Sequence, residues 1–132
     1  GFDGRIVLIG DEPYVPYERP PLSKAVLAGE MELERLFLKK AAWYQEKAVD
    51  FRPNTRVTAI DRQSKTVTTS HGENLAYDKL LLATGTRVRK LQAPGAKLEN
   101  IFYLRDIDDT LSIQKQMRAG ANVVIVGGGY IG

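Results

Sequence analysis

Cysteine is absent from this 132-residue chain, and histidine occurs once, at His71. The first absence excludes disulfide staples, thiolate metal ligation and a dithiol redox centre within these residues. With so little imidazole as well, no metal site is expected. No apolar run reaches the roughly 18 residues that span a bilayer, and no charged-then-apolar leader is read at the start. No membrane partner is therefore expected. An excess of one charge is also lacking: 19 basic against 16 acidic residues leave a net +3. The basic residues are scattered among acids, which reads as a solvated surface and not as a nucleic-acid interface. What remains, 43% hydrophobic and 27% charged, is the make-up of a soluble globular domain.

What the chain does have is a glycine pattern. Gly127-Gly128-Gly129-Tyr130-Ile131-Gly132 spells G-x-G-x-x-G behind the apolar run Val123-Val124-Ile125-Val126. Such a pattern is a dinucleotide-binding loop: a buried parallel strand, glycines that let backbone approach a pyrophosphate, then a helix whose N-terminal N–H groups face it. Strand and glycines are present and the helix is not, so the chain is expected to be a piece of a longer protein.

Upstream, Arg5 to Ile9 reads as a buried parallel strand ended by Gly10-Asp11-Glu12-Pro13. Leu22 to Ala28, opened by Pro20 and Pro21 and closed by Gly29, reads as a short helix. Ala41 to Ala48 reads as another, with Trp43 as core anchor. The runs Arg56 to Asp61, Thr66 to Ser70 and Leu75 to Tyr77 alternate with turn residues and predict an antiparallel meander. Lys79 to Gly85 predicts a further buried strand, and Ile101 to Leu104 a short one. Asp106 to Arg118 predicts a helix capped by Asp106 or Asp108, with Ile107, Leu111, Gln114 and Met117 near one face.

Several positions carry chemistry alongside an ordinary structural reading. Asp11 and Glu12 follow a strand, where a Rossmann unit places the acid that accepts from a ribose hydroxyl; taken alone, Gly-Asp-Glu-Pro is accounted for by turn chemistry. Lys24 falls in the first turn of its expected helix, where the macrodipole disfavours a cation. A nearby anion or electron-rich ring accounts for it, and so does a lysine stem reaching water. Ala83-Thr84-Gly85 allows close backbone approach to a ligand or simply ends a strand. Arg87, Arg89 and Arg105 suit a diphosphate as guanidinium forks, though singly each reads as a surface residue. His71, Tyr14, Tyr17 and Trp43 read as turn and packing residues.

Taken together, these stretches resemble the FAD-dependent ferredoxin reductase family, which includes rubredoxin reductases and putidaredoxin-type and dioxygenase-type reductases and is related to apoptosis-inducing factor. The resemblance is carried by Gly10-Asp11-Glu12-Pro13, Pro16-Tyr17-Glu18-Arg19-Pro20-Pro21-Leu22-Ser23-Lys24 and Thr55 to Asp61. Leu82-Ala83-Thr84-Gly85, Tyr103-Leu104-Arg105 and the terminal glycine motif continue it, in order, over essentially the whole chain. The R-P-P-L-S-K element discriminates far more than either glycine motif.

The resemblance implies an α/β fold with two dinucleotide-binding domains, a parallel sheet plus a β-meander, truncated at both ends. Residues 1–120 would be a partial FAD domain, and residues 121–132 the first strand and glycine loop of an NAD(P) domain. A first glycine loop would lie ahead of Gly1. Asn122 to Val126 would dock in place of the central strand that precedes it. Asp11 and Glu12 would hold the adenosine ribose, and Val57 would meet the adenine through its backbone. Arg19 and Lys24 would reach the FAD, Lys24 at its reactive edge as the catalytic cation. Ala83, Thr84 and Gly85 would line the cofactor, and Arg105 would contact its diphosphate. Gly127, Gly129 and Gly132 would cradle NAD(P)H.

The implied activity is cytoplasmic transfer of electrons from NAD(P)H through FAD to a small ferredoxin or rubredoxin. The alternatives are a redox-gated interaction protein like apoptosis-inducing factor, and, for the 132 residues by themselves, an inert fragment without tight cofactor binding.

Overall fold

The computed structural model describes residues 2–129. They form two compact units, residues 2–17 with 37–84, and residues 18–36 with 85–129.

The first unit holds five strands and a helix. β1 (Ile6–Ile9) pairs in parallel with β2 (Val49–Arg52), with Ile6 opposite Val49 and Ile9 opposite Arg52. β1 was expected to be buried, yet Ile6 is 46% exposed. Among the described residues its sheet has two strands, and β1 has a neighbour on one edge only. β2 was not foreseen, although Val49-Asp50-Phe51-Arg52 carries the period-two alternation of a half-covered strand.

Before β2 lies α1 (Ala41–Glu46), which packs on it. Tyr44, not Trp43, is the buried anchor of that helix. The Tyr44 ring lies 5.6 Å from that of Phe51 on β2, and Trp43 meets Tyr44 edge-on at 5.2 Å. Just past α1 and its C-cap Lys47, Ala48 takes a left-handed φ of 53° and donates its N–H to the Gln45 carbonyl. Glycine is the usual residue at that place because it has no Cβ to crowd the carbonyl.

β3 (Val57–Asp61), β4 (Thr66–Thr69) and β5 (Asn74–Ala76) form the expected antiparallel meander. The β3–β4 turn is built by Asp61, whose Oδ1 accepts from the Gln63 and Ser64 N–H groups. A bulge lies between Val57 and Ala59. An ion network stitches the unit together: the Arg5 and Arg52 guanidinium groups reach Asp50 at 2.6 and 3.0 Å, and Arg52 also reaches Glu73 at 2.6 Å.

The second unit contains α2 (Ile107–Gln114) and the 3-10 turns Pro20–Ser23 and Leu33–Leu36. Leu22, Val26, Leu36, Ile107 and Thr110 are its buried side chains. The Gln114 amide donates to the Val26 carbonyl at 2.6 Å, tying α2 to the turn-rich segment beside it. The helix expected over Leu22 to Ala28 is shortened to a 3-10 turn at Pro20–Ser23, followed by hydrogen-bonded turns to Gly29 at φ 76°. Two successive prolines remove the N–H donors at the helix start, and Leu22 N–H bonds three residues back, to Arg19.

Three expected strands are not formed. Residues 79–85, 101–104 and 121–129 belong to no strand. Leu81 is 87% and Val124 88% exposed, so these runs are not buried, and 122–126 does not dock as a strand. A β-strand is defined by ladder bonds to a neighbour, and among the described residues no neighbouring strand pairs with them. Met117, placed on the buried face of α2, lies beyond its end and is exposed.

Two stability measurements follow from this architecture. Hydrogen bonds first from Arg52 and then from Arg5 hold the Asp50 carboxyl below the ordinary carboxylate range, and the Ser64 N–H does the same for Asp61. Both therefore titrate lower in the folded chain than in the unfolded one. Their stabilisation is complete above the unfolded value of about 4 and is lost as the pH falls through the folded one. The urea midpoint is expected to be level near neutrality and to fall below about pH 4, with Asp50→Asn flattening that fall. Ala48→Gly is expected to raise stability by about 1 kcal/mol by relieving the left-handed Cβ, read as an increase in the urea midpoint at pH 7.

Candidate functional site

In the first unit, the acids after β1 are held by backbone bonds. Gly10 donates to the Arg52 carbonyl at 3.1 Å and accepts from Thr55 N–H at 2.8 Å, and Asn54 N–H donates to the Glu12 carbonyl at 3.1 Å. The turn carrying Asp11 and Glu12 is thus stapled to the segment between β2 and β3. The Tyr17 hydroxyl donates to the Glu12 carboxylate. Asp11 lies 3.6 Å from the Arg56 guanidinium, both side chains being exposed. That pair places Asp11 beside the start of β3, where Val57 sits next to the bulge. A bulge leaves one residue out of ladder register and re-aims the local backbone. The approach of Arg56 to Asp11 had no signal in the sequence.

In the second unit, a cleft of about 490 Å³ is lined on its charged side by Arg19, Lys24, Arg87 and Arg105, with no acidic lining residue. Pro20, Leu22, Val88 and Leu104 give it apolar walls. Lys24 is exposed and follows the last residue of the 3-10 turn. The expected placement in a first helical turn, with its dipole penalty, does not apply.

The main chain of Arg105 is held on both sides. Its N–H donates to the Asp109 carboxylate at 2.8 Å, and its carbonyl accepts from Arg19 Nη1 at 2.9 Å. Asp109 also closes a reciprocal cap on α2: Asp109 N–H donates to Asp106 Oδ1 at 2.8 Å, and Asp106 N–H to Asp109 Oδ2 at 3.3 Å. Gly85 has φ 64°, and a Cβ built on it would stand 2.9 Å from Arg105 Nη2.

Of the residues singled out from the sequence, Arg19, Lys24 and Arg105 meet in this cleft, with Gly85 against Arg105. Arg87 joins them and Arg89 is not among the lining residues. Asp11, Glu12 and Val57 belong to the first unit, as do Ala83 and Thr84, which are exposed and in no regular element. Gly127 takes a left-handed φ of 123°, and Gly127 and Gly129 have open space where a Cβ would be. Gly132 lies outside the described residues. Asp109 was missed as a site residue, though the spacing Asp106-x-x-Asp109 is a capping pattern that points to it.

Among the described residues no group of three His, Asp or Glu side chains is placed to hold a metal, and no helix is long and apolar enough to cross a membrane.

Comparison with known proteins gives one consistent result. Residues 2–132 match the family described as pyridine nucleotide-disulphide oxidoreductase. The whole chain is 42% identical to the ferredoxin–NAD(+) reductase component of the biphenyl dioxygenase system of Paraburkholderia xenovorans, covering 32% of it. It is 44% identical to putidaredoxin reductase of Pseudomonas putida, again over 32% of that protein. Among solved structures, the covalent putidaredoxin reductase–putidaredoxin complex superposes with a TM-score of 0.93 at 41% identity, over 99% of this chain and 32% of that one. The chain spans about a third of the length of the curated relatives it matches.

The cap is expected to hold the cleft in shape. Asp106→Ala removes the acceptor for Asp109 N–H and is expected to cost about 1 kcal/mol of stability, measured by chemical denaturation of the purified chain.

Proposed function

The chain belongs to the pyridine nucleotide-disulphide oxidoreductase family, and from that premise we propose that it is part of a flavin-dependent oxidoreductase. The enzyme passes electrons from NAD(P)H through FAD to a small ferredoxin or rubredoxin, in the cytoplasm. Residues 1–120 supply part of the FAD domain, and residues 121–132 the first strand and glycine loop of the NAD(P) domain.

The observation that carries this reading is the cleft. Four cationic side chains and no carboxylate line it, so it is suited to a doubly charged diphosphate, and its proline, leucine and valine walls suit an apolar ring. The donor set therefore fits FAD. Arg105 holds the diphosphate, with Gly85 and the preceding Ala83 and Thr84 along the cofactor. Arg19 binds beside Arg105, and Lys24 stands at the reactive edge. Asp11 and Glu12 accept from the ribose hydroxyls, and Val57 offers backbone to the adenine. Gly127, Gly129 and Gly132 cradle the pyrophosphate of NAD(P)H.

When bound, FAD supplies the conversion of a two-electron hydride donor into single-electron delivery. The chain's own residues bind and orient. Lys24 carries an ammonium that favours negative charge at the reactive edge, a fixed electrostatic contribution that needs no rearrangement during the reaction. Arg105 and Arg19 would hold the anionic diphosphate and so help to orient the bound cofactor. No proton transfer is assigned to any of these residues.

The test is purification of the polypeptide encoded by the complete reading frame. It is expected to be yellow, to bleach with NADH or NADPH under anaerobic conditions, and to reduce cytochrome c only when a ferredoxin or rubredoxin is added. A colourless protein that takes up no FAD when supplied with it would sink the reading.

A further inference from the structure

The main chain of Arg105 is fixed at both its donor and its acceptor. Asp109 takes its N–H at 2.8 Å, and Arg19 donates to its carbonyl at 2.9 Å. Asp109 is itself fixed by the reciprocal cap with Asp106, in the first turn of a helix whose Ile107 and Thr110 are fully buried. The backbone of Arg105 is thus held in place, which fixes the point from which its side chain starts. That side chain ends against Gly85, where any Cβ would stand 2.9 Å from Nη2. This is closer than non-bonded carbon and nitrogen atoms approach. The atom in the way is the far end of a flexible side chain, so a Cβ at residue 85 displaces the guanidinium and leaves the fold in place.

We propose that Gly85 is a specificity-determining residue: by lacking a Cβ it leaves room for the guanidinium of Arg105, whose backbone is held by Asp109 and Arg19, and so makes the site select flavins that carry a diphosphate. The inference rests on the functional reading above. Gly85 acts through Arg105 and is a positioning residue, not a catalytic one. Its left-handed φ of 64° also favours glycine on backbone grounds alone. The two roles differ in what a substitution does to ligands with and without phosphate.

The experiment uses the apo form of the full-length protein and measures Kd for FAD and for riboflavin, which has the same ring and no phosphate, by flavin fluorescence. Gly85→Ala, Arg105→Ala and the double variant form a cycle. Gly85→Ala is expected to weaken FAD about tenfold to a hundredfold, the range of one charge-assisted contact. Riboflavin affinity should stay within about twofold, well inside that range. In the Arg105→Ala background the same substitution should change FAD affinity little.

Gly85→Asn repeats the test with a residue that accepts left-handed φ and still brings a Cβ. Equal loss of FAD and riboflavin, or an undiminished loss when Arg105 is already absent, overturns the proposal and leaves the flavin assignment standing. Loss of folding in both Gly85→Ala and Gly85→Asn, read by circular dichroism, also overturns it, because the displaced group was then not the guanidinium. A wild-type protein that binds no flavin overturns the functional reading and this inference with it.

Discussion

Asp109 accepts two backbone N–H groups, those of Arg105 and Asp106, and gives its own N–H to the Asp106 side chain. Two N–H groups at the start of α2 are thereby capped, and the N–H of the residue ahead of it is held as well. Helix N-termini leave donors without intrahelical partners, and here two of them are taken by the carboxylates of Asp106 and Asp109. Removing that arrangement would release Arg105 from its N–H side and leave only the Arg19 contact at its carbonyl. The cationic cleft of the second unit depends on this local geometry more than on any single charge in it.

The first unit is organised by a different kind of constraint. Its two-stranded parallel sheet is small, and its cohesion comes from polar stitching as much as from burial. Arg52 joins Asp50 to Glu73, while Gly10 bonds backbone-to-backbone with Arg52 and Thr55. Exposed ion pairs contribute little individually. Here they act with a run of main-chain bonds that leaves the Asp11–Glu12 turn a single place to sit, beside the start of β3. The fold therefore delivers a pair of acids next to a strand whose backbone is bulged.

The meander of β3, β4 and β5 was legible because alternation and turn residues act over a few positions, as in Asp61 with Gln63 and Ser64. The cap at Asp106 was legible for the same reason. β2 was overlooked despite its alternation, since four residues behind a helix give a weak pattern. The runs Lys79 to Gly85 and Asn122 to Val126 read as buried strands and are neither paired nor buried. An apolar run records a need for neighbours without naming them, and a ladder needs a second strand in register. In the Pro20–Ser23 segment a tighter turn stands in place of the expected helix, and Lys24 lies past its end.

Residue order alone settled the family resemblance, the meander, the capped helix and the candidate anion-binding residues, because each is written in local spacing or in a discriminating motif. Folding settled which candidates stand together. Arg19, Lys24, Arg87 and Arg105 share a cleft that Arg89 does not join, and Asp11 lies beside Arg56. The Arg105 guanidinium lies where a Cβ on Gly85, twenty positions earlier, would stand 2.9 Å from it. Such contacts depend on backbone direction accumulated over many residues, and no short pattern in the chain encodes that direction.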